Sequence, residues 1–353
     1  MKILLSTNMY PSKNNPQLGV FIKSHVDIMK DKYNICNIIC NENEIATTLN
    51  QKILKYLKFF NKLIIFSLTK KFDLIHAHYS FPTGFLTSFL KIITKKKMIL
   101  TVHGSDVQSD IFDKYYLFLI NKYTFYATDT IICVSAELKS QIVNKYNIDE
   151  NKIHIIDMGF NDKIFFDHKK TYLKSTFNIT FIGRLIDIKG FDVLIRAINS
   201  FTDDIRSKVK CVAYGDGSEK NKYLKMIDKY ELTQNIMIKG FATQNKIASV
   251  INESDVVVVP SLREGFGLVA IESLACGVPV VCTRVGGLKY IVKEGCNGYF
   301  FEKNNSEDLK LKLQKIFKDN KIKKQDCIDS VSNYKMISKV NDIIKIYKIY
   351  DKK

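Results

Sequence analysis

The chain has little proline and glycine, 5 and 16 residues in 353, which excludes collagen-like, mucin-like and disordered architectures. Its eight cysteines, at positions 36, 40, 133, 211, 276, 282, 296 and 327, form no Cys-x-x-Cys pair. Several lie in apolar stretches where a thiol behaves as a small hydrophobe, so a reduced cytosolic protein is expected. No apolar run reaches the roughly 18 residues that a membrane span requires. The apolar start Ile3–Leu5 is cut short by Ser6, Thr7 and Asn8, so no signal-peptide core is expected. No internal repeat at a solenoid period and no low-complexity block occurs.

What is present supports buried cores, with 46% hydrophobic and 25% charged residues. The length fits two domains of roughly 150 to 200 residues. Lys and Arg outnumber Asp and Glu by 54 to 36, a net charge of +18. Such an excess suits an anionic partner: a nucleic acid, an anionic lipid or a phosphorylated ligand. The excess is spread along the chain without a basic tail, and no nucleic-acid module is recognisable, so a nucleic-acid partner is not expected.

Short β-branched runs alternate with helical stretches. Lys2–Ser6, Asn34–Cys40, Asp73–His78, Lys97–Val102, Thr130–Val134 and Ile153–Asp157 form a first series. Ile179–Ile182, Val209–Ala213, Ile236–Ile238, Asp255–Val259 and Pro279–Cys282 form a second. This is the pattern of parallel sheets with crossover helices, and it predicts an α/β chain of two doubly wound, Rossmann-like units. The expected division is residues 1–160, a linker at 161–175, a second domain at 176–333 and a terminal helix at 334–353. In Gln51–Lys71, Lys52, Lys55, Lys58 and Lys62 recur at helical spacing among Leu54, Leu57, Phe59, Phe60, Ile64 and Phe66. The segment reads as a basic amphipathic helix, either packed on its own sheet with lysines outward or docked on an anionic membrane.

The chemistry concentrates after Asp255–Val259, in a strand, a Gly-containing loop and a helix. Gly265 and Gly267 allow close backbone approach to a ligand, and first-turn amides of the helix that follows suit phosphate. Glu264 and Glu272 stand eight residues apart, which on a helical repeat gives similar azimuths about 12 Å apart. One carboxylate can then address each end of an extended ligand such as a sugar joined to a ribose through a diphosphate. Two glutamates at this spacing also arise on any solvated helix face. Arg184 and Lys189, in Gly183-Arg-Leu-Ile-Asp-Ile-Lys-Gly after a predicted strand, offer a planar fork and a mobile point charge for a diphosphate. Arg184 is the first arginine in the chain. Gly215 and Gly217, in Tyr214-Gly-Asp-Gly-Ser-Glu, stand at a strand's carboxyl end, where ligands bind in open α/β sheets. They could equally make only a turn.

These segments closely resemble the retaining glycosyltransferases of the family-4 type, which have the two-Rossmann GT-B architecture. The strongest element is Glu264-Gly265-Phe266-Gly267-Leu268 through Glu272 and Ala-Cys-Gly-Val-Pro-Val-Val. The resemblance implies that Glu264 contacts the hydroxyls of the donor sugar and Glu272 the ribose. It also implies that Arg184 and Lys189 stabilise the leaving diphosphate, and that Gly183, Gly215, Gly217, Gly240, Phe241, Gly265, Phe266, Gly267 and Leu268 line the donor site. In the first half, Met9-Tyr-Pro…Gly19-Val-Phe resembles the loop that faces the donor across the interdomain cleft, which places Gly19 near the phosphates. Thr101-Val-His-Gly-Ser-Asp puts His103 by the transferred sugar. His76 and His78, two apart on a strand, could suggest a metal site with His103, but a core or cleft-lining role fits better, and no metal or cofactor is expected.

The family resemblance implies transfer with retention, through a same-face, oxocarbenium-like transition state, from a nucleotide-diphosphate sugar of UDP or GDP type. The expected acceptor is a growing surface glycan, such as capsule or lipopolysaccharide, or a lipid-linked saccharide. No Asp-x-Asp motif occurs, consistent with leaving-group stabilisation without a metal. The expected location is the cytoplasm, at the inner face of the membrane if the basic helix docks there. The alternatives are a sugar-phosphate or sucrose-type synthase with a soluble acceptor, and a non-catalytic sugar-nucleotide-binding subunit. Two departures stand out. Asp157-Met-Gly-Phe-Asn replaces the common Pro-Asn-Gly at the interdomain crossing, and Leu288-Lys289-Tyr290 follows Gly286-Gly287 where relatives often carry a glutamate, with Glu294 further along.

Overall fold

The computed structural model describes residues 1–12, 18–30, 34–40, 48–104, 106–107, 113–168, 176–319 and 321–351. The chain divides into two compact units, Met1–Met158 with Met336–Lys353, and Gly159–Lys335. The first contains β1 (Lys2–Thr7), α1 (Val20–Lys30), β2 (Asn34–Cys40), α2 (Leu49–Thr69), β3 (Leu74–His78), α3 (Phe85–Thr94), β4 (Lys97–Val102), α4 (Tyr115–Ala127), β5 (Thr130–Cys133), α5 (Ala136–Tyr146) and β6 (Ile153–Ile155). The second contains β7 (Phe177–Ile182), α6 (Phe191–Asn199), α7 (Asp203–Arg206), β8 (Val209–Tyr214), α8 (Lys220–Lys229), β9 (Ile236–Gly240), α9 (Gln244–Glu253) and β10 (Val256–Val259). It continues with α10 (Leu268–Ala275), β11 (Val280–Thr283), α11 (Leu288–Ile291), β12 (Gly298–Phe301), α12 (Ser306–Lys318) and α13 (Lys324–Ser330). The last helix, α14 (Met336–Ile349), returns to the first unit.

Every strand expected from the sequence is present, with ends displaced by at most two residues. One further strand, β12, was not legible. It has four residues and begins with a glycine, so it offers neither length nor alternation. Gly298 is required there, because a Cβ would lie 2.1 Å from the Val280 carbonyl oxygen of the neighbouring strand.

Each unit is built on a six-stranded parallel sheet. The first has the order β2-β1-β3-β4-β5-β6 and the second β12-β11-β10-β7-β8-β9. Central strands covered on both faces become continuous apolar runs, as in the four buried valines of β10. In each sheet the winding direction reverses once, between β1 and β3 and between β7 and β10. The carboxyl ends of strands flanking such a reversal form the crevice in which open α/β sheets bind ligands.

The crossing between units falls after Met158, within the Asp157-Met-Gly stretch. Residues 161–168 of the expected linker pack within the second unit, where Phe165 is buried; residues 169–175 lie outside the described residues. The terminal helix seals the first core. Val340, Ile343, Ile346 and Tyr347 of α14 pack with Ile3, Leu74, Ile99 and Ile132 of the sheet.

The basic segment forms α2, capped by a reciprocal Thr48–Gln51 box. It buries only Phe59 and Leu63 among its described side chains. In its first turns Ile53, Leu54 and Leu57 are exposed alongside Lys52 and Lys58. The lysines therefore share the open side of the helix with apolar residues.

Candidate functional site

In the second unit, the loops that follow β7 and β10 meet at the reversal of the sheet. The Leu262 amide donates to the Ile188 carbonyl at 2.8 Å. This brings Lys189 to Glu264: Lys189 Nζ donates to Glu264 Oε2 at 2.7 Å, and the Ser261 hydroxyl donates to the same oxygen at 3.2 Å. The two side chains are about a fifth exposed, 22% for Lys189 and 17% for Glu264, so the pair is shielded but within reach of a ligand. Without ligand, the cation expected for the diphosphate and the carboxylate expected for the sugar neutralise each other. Arg184 projects into solvent, and its guanidinium has no partner among the described residues.

Glu272 lies one turn into α10, half-buried, with no hydrogen-bond or ion-pair partner among the described residues. Desolvation pushes its carboxyl up to about 8, because burial disfavours the charged form. A half-buried carboxyl without a protein partner is only partly solvated, which leaves room for a ligand to complete it. A pair of ligand hydroxyls would do so. Phe266 is buried beneath the loop against Tyr334, with ring centroids 5.7 Å apart. Leu268 opens the first turn of α10 after Gly267, whose φ of 105° demands glycine. Gly265 is half-buried beside Glu264, and Phe241 stands out into solvent beyond β9.

The structure corrects the physical reason assigned to Gly215 and Gly217. A Cβ at Gly215 would lie 1.8 Å from the Gly183 carbonyl oxygen, and one at Gly217 would lie 2.3 Å from that of Leu185. The space at these glycines is taken by the neighbouring loop. The Gly183 amide donates to Tyr214 and the Leu185 amide to Asp216, at 3.0 Å each, and Gly215 donates to Gly240 at 2.8 Å. The loop carrying Arg184 is thereby fixed to β8. Gly286 and Gly287 do the same for Glu264 and Phe266, whose carbonyl oxygens would meet added Cβ atoms at 1.7 and 2.2 Å. The sequence marked this Gly-Gly pair only as a place where relatives differ. Glu294 accepts a bond from the Phe300 amide at 2.8 Å and so braces β12.

In the first unit, histidines gather at the other reversal. His76 is buried, with Nδ1 2.5 Å from the Tyr347 hydroxyl and Nε2 2.7 Å from that of Thr101. His78 stacks on it, with Nδ1 3.0 Å from Nε2 of His103. His25, on α1, is the fourth member. Burial is the main cause lowering all four: His25 to about 4, His76 and His103 to about 3, and His78 well below the usual range. Both nitrogens of His76 are engaged by hydroxyls, and among the described residues no group of three or more His, Cys, Asp or Glu could hold a metal. His103 is half-buried, with Phe21 and Tyr79 packed on its ring.

Asp106 was missed as a separate residue, although it ends the motif that contains His103. It accepts bonds from the His103 and Gly104 amides at 3.1 and 2.9 Å and from the Ser80 amide at 2.8 Å. Its bonds run backwards to His103 and Gly104 and across to Ser80, a pattern that no short-range turn signal announces. Gly19 starts α1 at φ 65°, where a Cβ would lie 2.1 Å from the Met9 carbonyl oxygen. It thus closes the loop that follows β1.

Two family models cover most of the chain: Glycosyltransferase Family 4 over residues 38–163 and Glycosyl transferases group 1 over residues 163–333. An uncharacterized glycosyltransferase of Methanocaldococcus jannaschii is 37% identical over 256 residues, 71% of this chain and 67% of that protein. The capsular polysaccharide biosynthesis glycosyltransferase CapM of Staphylococcus aureus is 28% identical over 304 residues, 80% of this chain and 78% of its own length. Among solved structures, Anabaena HepE in complex with UDP-glucose superposes with a TM-score of 0.80 at 17% identity, over 99% of this chain and 100% of that one. Shared sequence and the paired parallel sheets lead to one assignment: the chain is a GT-B glycosyltransferase and belongs to the group 1 glycosyl transferases.

Proposed function

We propose that the protein transfers a hexose from a UDP- or GDP-sugar, with retention and without a metal, to a growing surface glycan or lipid-linked saccharide. The observation that carries this reading is the set of complementary groups at the β7–β10 reversal: an unpaired guanidinium, a lysine–glutamate pair and a carboxyl with no partner. The bond from the anomeric carbon to the diphosphate oxygen breaks, and the nucleoside diphosphate departs with the electron pair. Arg184 and Lys189 neutralise the charge that develops on it, an electrostatic contribution of several kcal/mol. The acceptor oxygen bonds to the same face of the anomeric carbon, and its proton passes to the departing phosphate oxygen. Glu264 holds the sugar hydroxyls, Glu272 the ribose, and His103 of the first unit contacts the transferred sugar.

Calorimetric titration with UDP, GDP, ADP and CDP, with and without EDTA, tests the donor class. One nucleotide binding selectively in EDTA supports the reading, and a requirement for metal overturns the metal-free part of it. Glu264→Gln is expected to keep nucleotide binding within about threefold and to lose transfer by about a hundredfold or more. Undiminished transfer would remove Glu264 from the site.

The same reading places the enzyme at an anionic membrane surface. α2, α3 and α4 contain no acidic residue. They pack side by side through Phe60, Phe89 and Tyr123. More than half of the large exposed apolar residues described lie on them, including Leu57, Leu68, Ile92, Tyr115, Tyr116 and Tyr126. Lysines among exposed tyrosines and leucines suit the bilayer interface. Replacing Lys52, Lys55, Lys58 and Lys62 with Gln is expected to reduce sedimentation with phosphatidylglycerol vesicles about tenfold or more, at roughly 1 kcal/mol per lysine. Unchanged sedimentation would refute the contact.

A further inference from the structure

The hydrogen bond between His78 and His103 contains one proton with two possible owners, and the surroundings decide between them. Both rings are neutral in the folded protein, because burial holds His78 well below the usual range and His103 at about 3. One of the facing nitrogens, His78 Nδ1 or His103 Nε2, therefore carries a hydrogen and the other a lone pair. Whichever nitrogen donates also fixes the opposite side of each ring.

The far side of His78 settles the choice. Its Nε2 is fully buried and has no hydrogen-bond partner among the described residues. If His103 donated, His78 would have to carry its own hydrogen on Nε2, as an orphaned buried N–H. Orphaned buried N–H groups are rarer in folded proteins than under-satisfied acceptors. The lower-cost arrangement puts the hydrogen of His78 on Nδ1, pointing at His103 Nε2. His103 must then carry its own hydrogen on Nδ1, which has no partner among the described residues. Its backbone is already held by Asp106, and its ring lies between Phe21 and Tyr79.

We propose that His78 is a positioning residue that locks His103 in the Nδ1–H tautomer, so that His103 meets its ligand as a hydrogen-bond donor. The ligand atom it fits is an oxygen acceptor, a sugar hydroxyl or ring oxygen. This identification rests on the proposed function, whereas the tautomer does not. His76, stacked on His78 and tied to Tyr347 and Thr101, keeps the His78 ring in plane. The lock therefore reaches from the candidate site to α14.

Long-range nitrogen–proton correlation spectra of histidine-labelled protein at pH 7.5 read the tautomer directly, with the His103 signals assigned by their loss in His103→Ala. The expected result is a pyridine-like Nε2 and a pyrrole-like Nδ1 for His103. The reverse pattern overturns the proposal whether or not the protein transfers sugar. His78→Asn and His78→Gln then separate positioning from packing, since the Asn amide replaces Nδ1 whereas the Gln amide replaces Nε2. His78→Asn should preserve the His103 tautomer and transfer within about threefold. His78→Gln should mix the tautomers and lower kcat by about tenfold or more with little change in the donor KM. Equal effects of the two substitutions on tautomer and kcat would reduce His78 to a packing residue and overturn the assignment. If transfer is absent in every form while the tautomers behave as expected, the functional reading fails and the lock stands.

Discussion

A carboxyl with a pKa of about 8 is mostly protonated at neutral pH, and in the proposed function this sets how Glu272 would meet a nucleotide. Two ribose hydroxyls donate to a carboxylate better than to a carboxylic acid, so binding favours the ionised form and releases a proton. Below its raised pKa, the free protein holds a proton that the complex does not. Nucleotide affinity should therefore climb as pH rises towards 8 and level off above it, by at most about tenfold per pH unit. Titrations in two buffers of different ionisation enthalpy measure the released proton. Glu272→Gln should flatten the profile, and a slope that persists in that variant would place the titrating group elsewhere.

At the scale of elements, the candidate site depends on loops packed backbone to backbone. Gly286, at φ 50°, leaves no room for a Cβ against the Glu264 carbonyl, whereas Gly295, at φ 75°, has nothing within 4 Å of where its Cβ would stand. Gly286→Ala should cost about 2–4 kcal/mol and displace Glu264, while Gly295→Ala should cost only the roughly 1 kcal/mol of its backbone conformation. Urea unfolding and transfer rates on both variants check this contrast. Equal costs would show that the loop yields freely. The contrast also explains what the sequence could and could not reveal. Strand positions were legible because local periodicity specifies them, whereas the helical repeat expected to relate Glu264 to Glu272 does not exist, since α10 begins only at Leu268 and Glu264 stands in the loop before it. The true neighbours of Gly215, Gly217 and Gly286 were not legible, because a glycine records that something comes close without recording what. The Lys189–Glu264 pair joins positions 75 residues apart, and no local pattern announces it. In the histidine cluster the sequence pointed to His76, His78 and His103 together, but nothing in it pointed to His25 of α1 as their neighbour.

Across the first unit, the buried histidines set the response to acid. Each has a folded pKa depressed below the unfolded value of 6.5, so the unfolded chain binds more protons as pH falls through 6.5 towards 4, and stability is lost over that window. Asp106 acts in the opposite sense. Its carboxyl is raised to about 6 by burial, so its protonation between pH 6 and 3.8 favours the folded state, and one such group offsets only part of the effect of four histidines. The unfolding midpoint of the first unit should drop on the order of 10 °C between pH 7 and 5, as measured by calorimetry. An unchanged midpoint would mean that the cluster is already protonated or hydrated. Within that unit, α14 supplies the Tyr347 hydroxyl to His76 and closes the apolar core, although it lies at the far end of the chain from β1. The second unit is one uninterrupted stretch. On the ribosome, the half that is synthesised first is therefore completed last. Its core and its histidines wait with an open face until residues 336–349 emerge, by which time the second unit has its whole sequence.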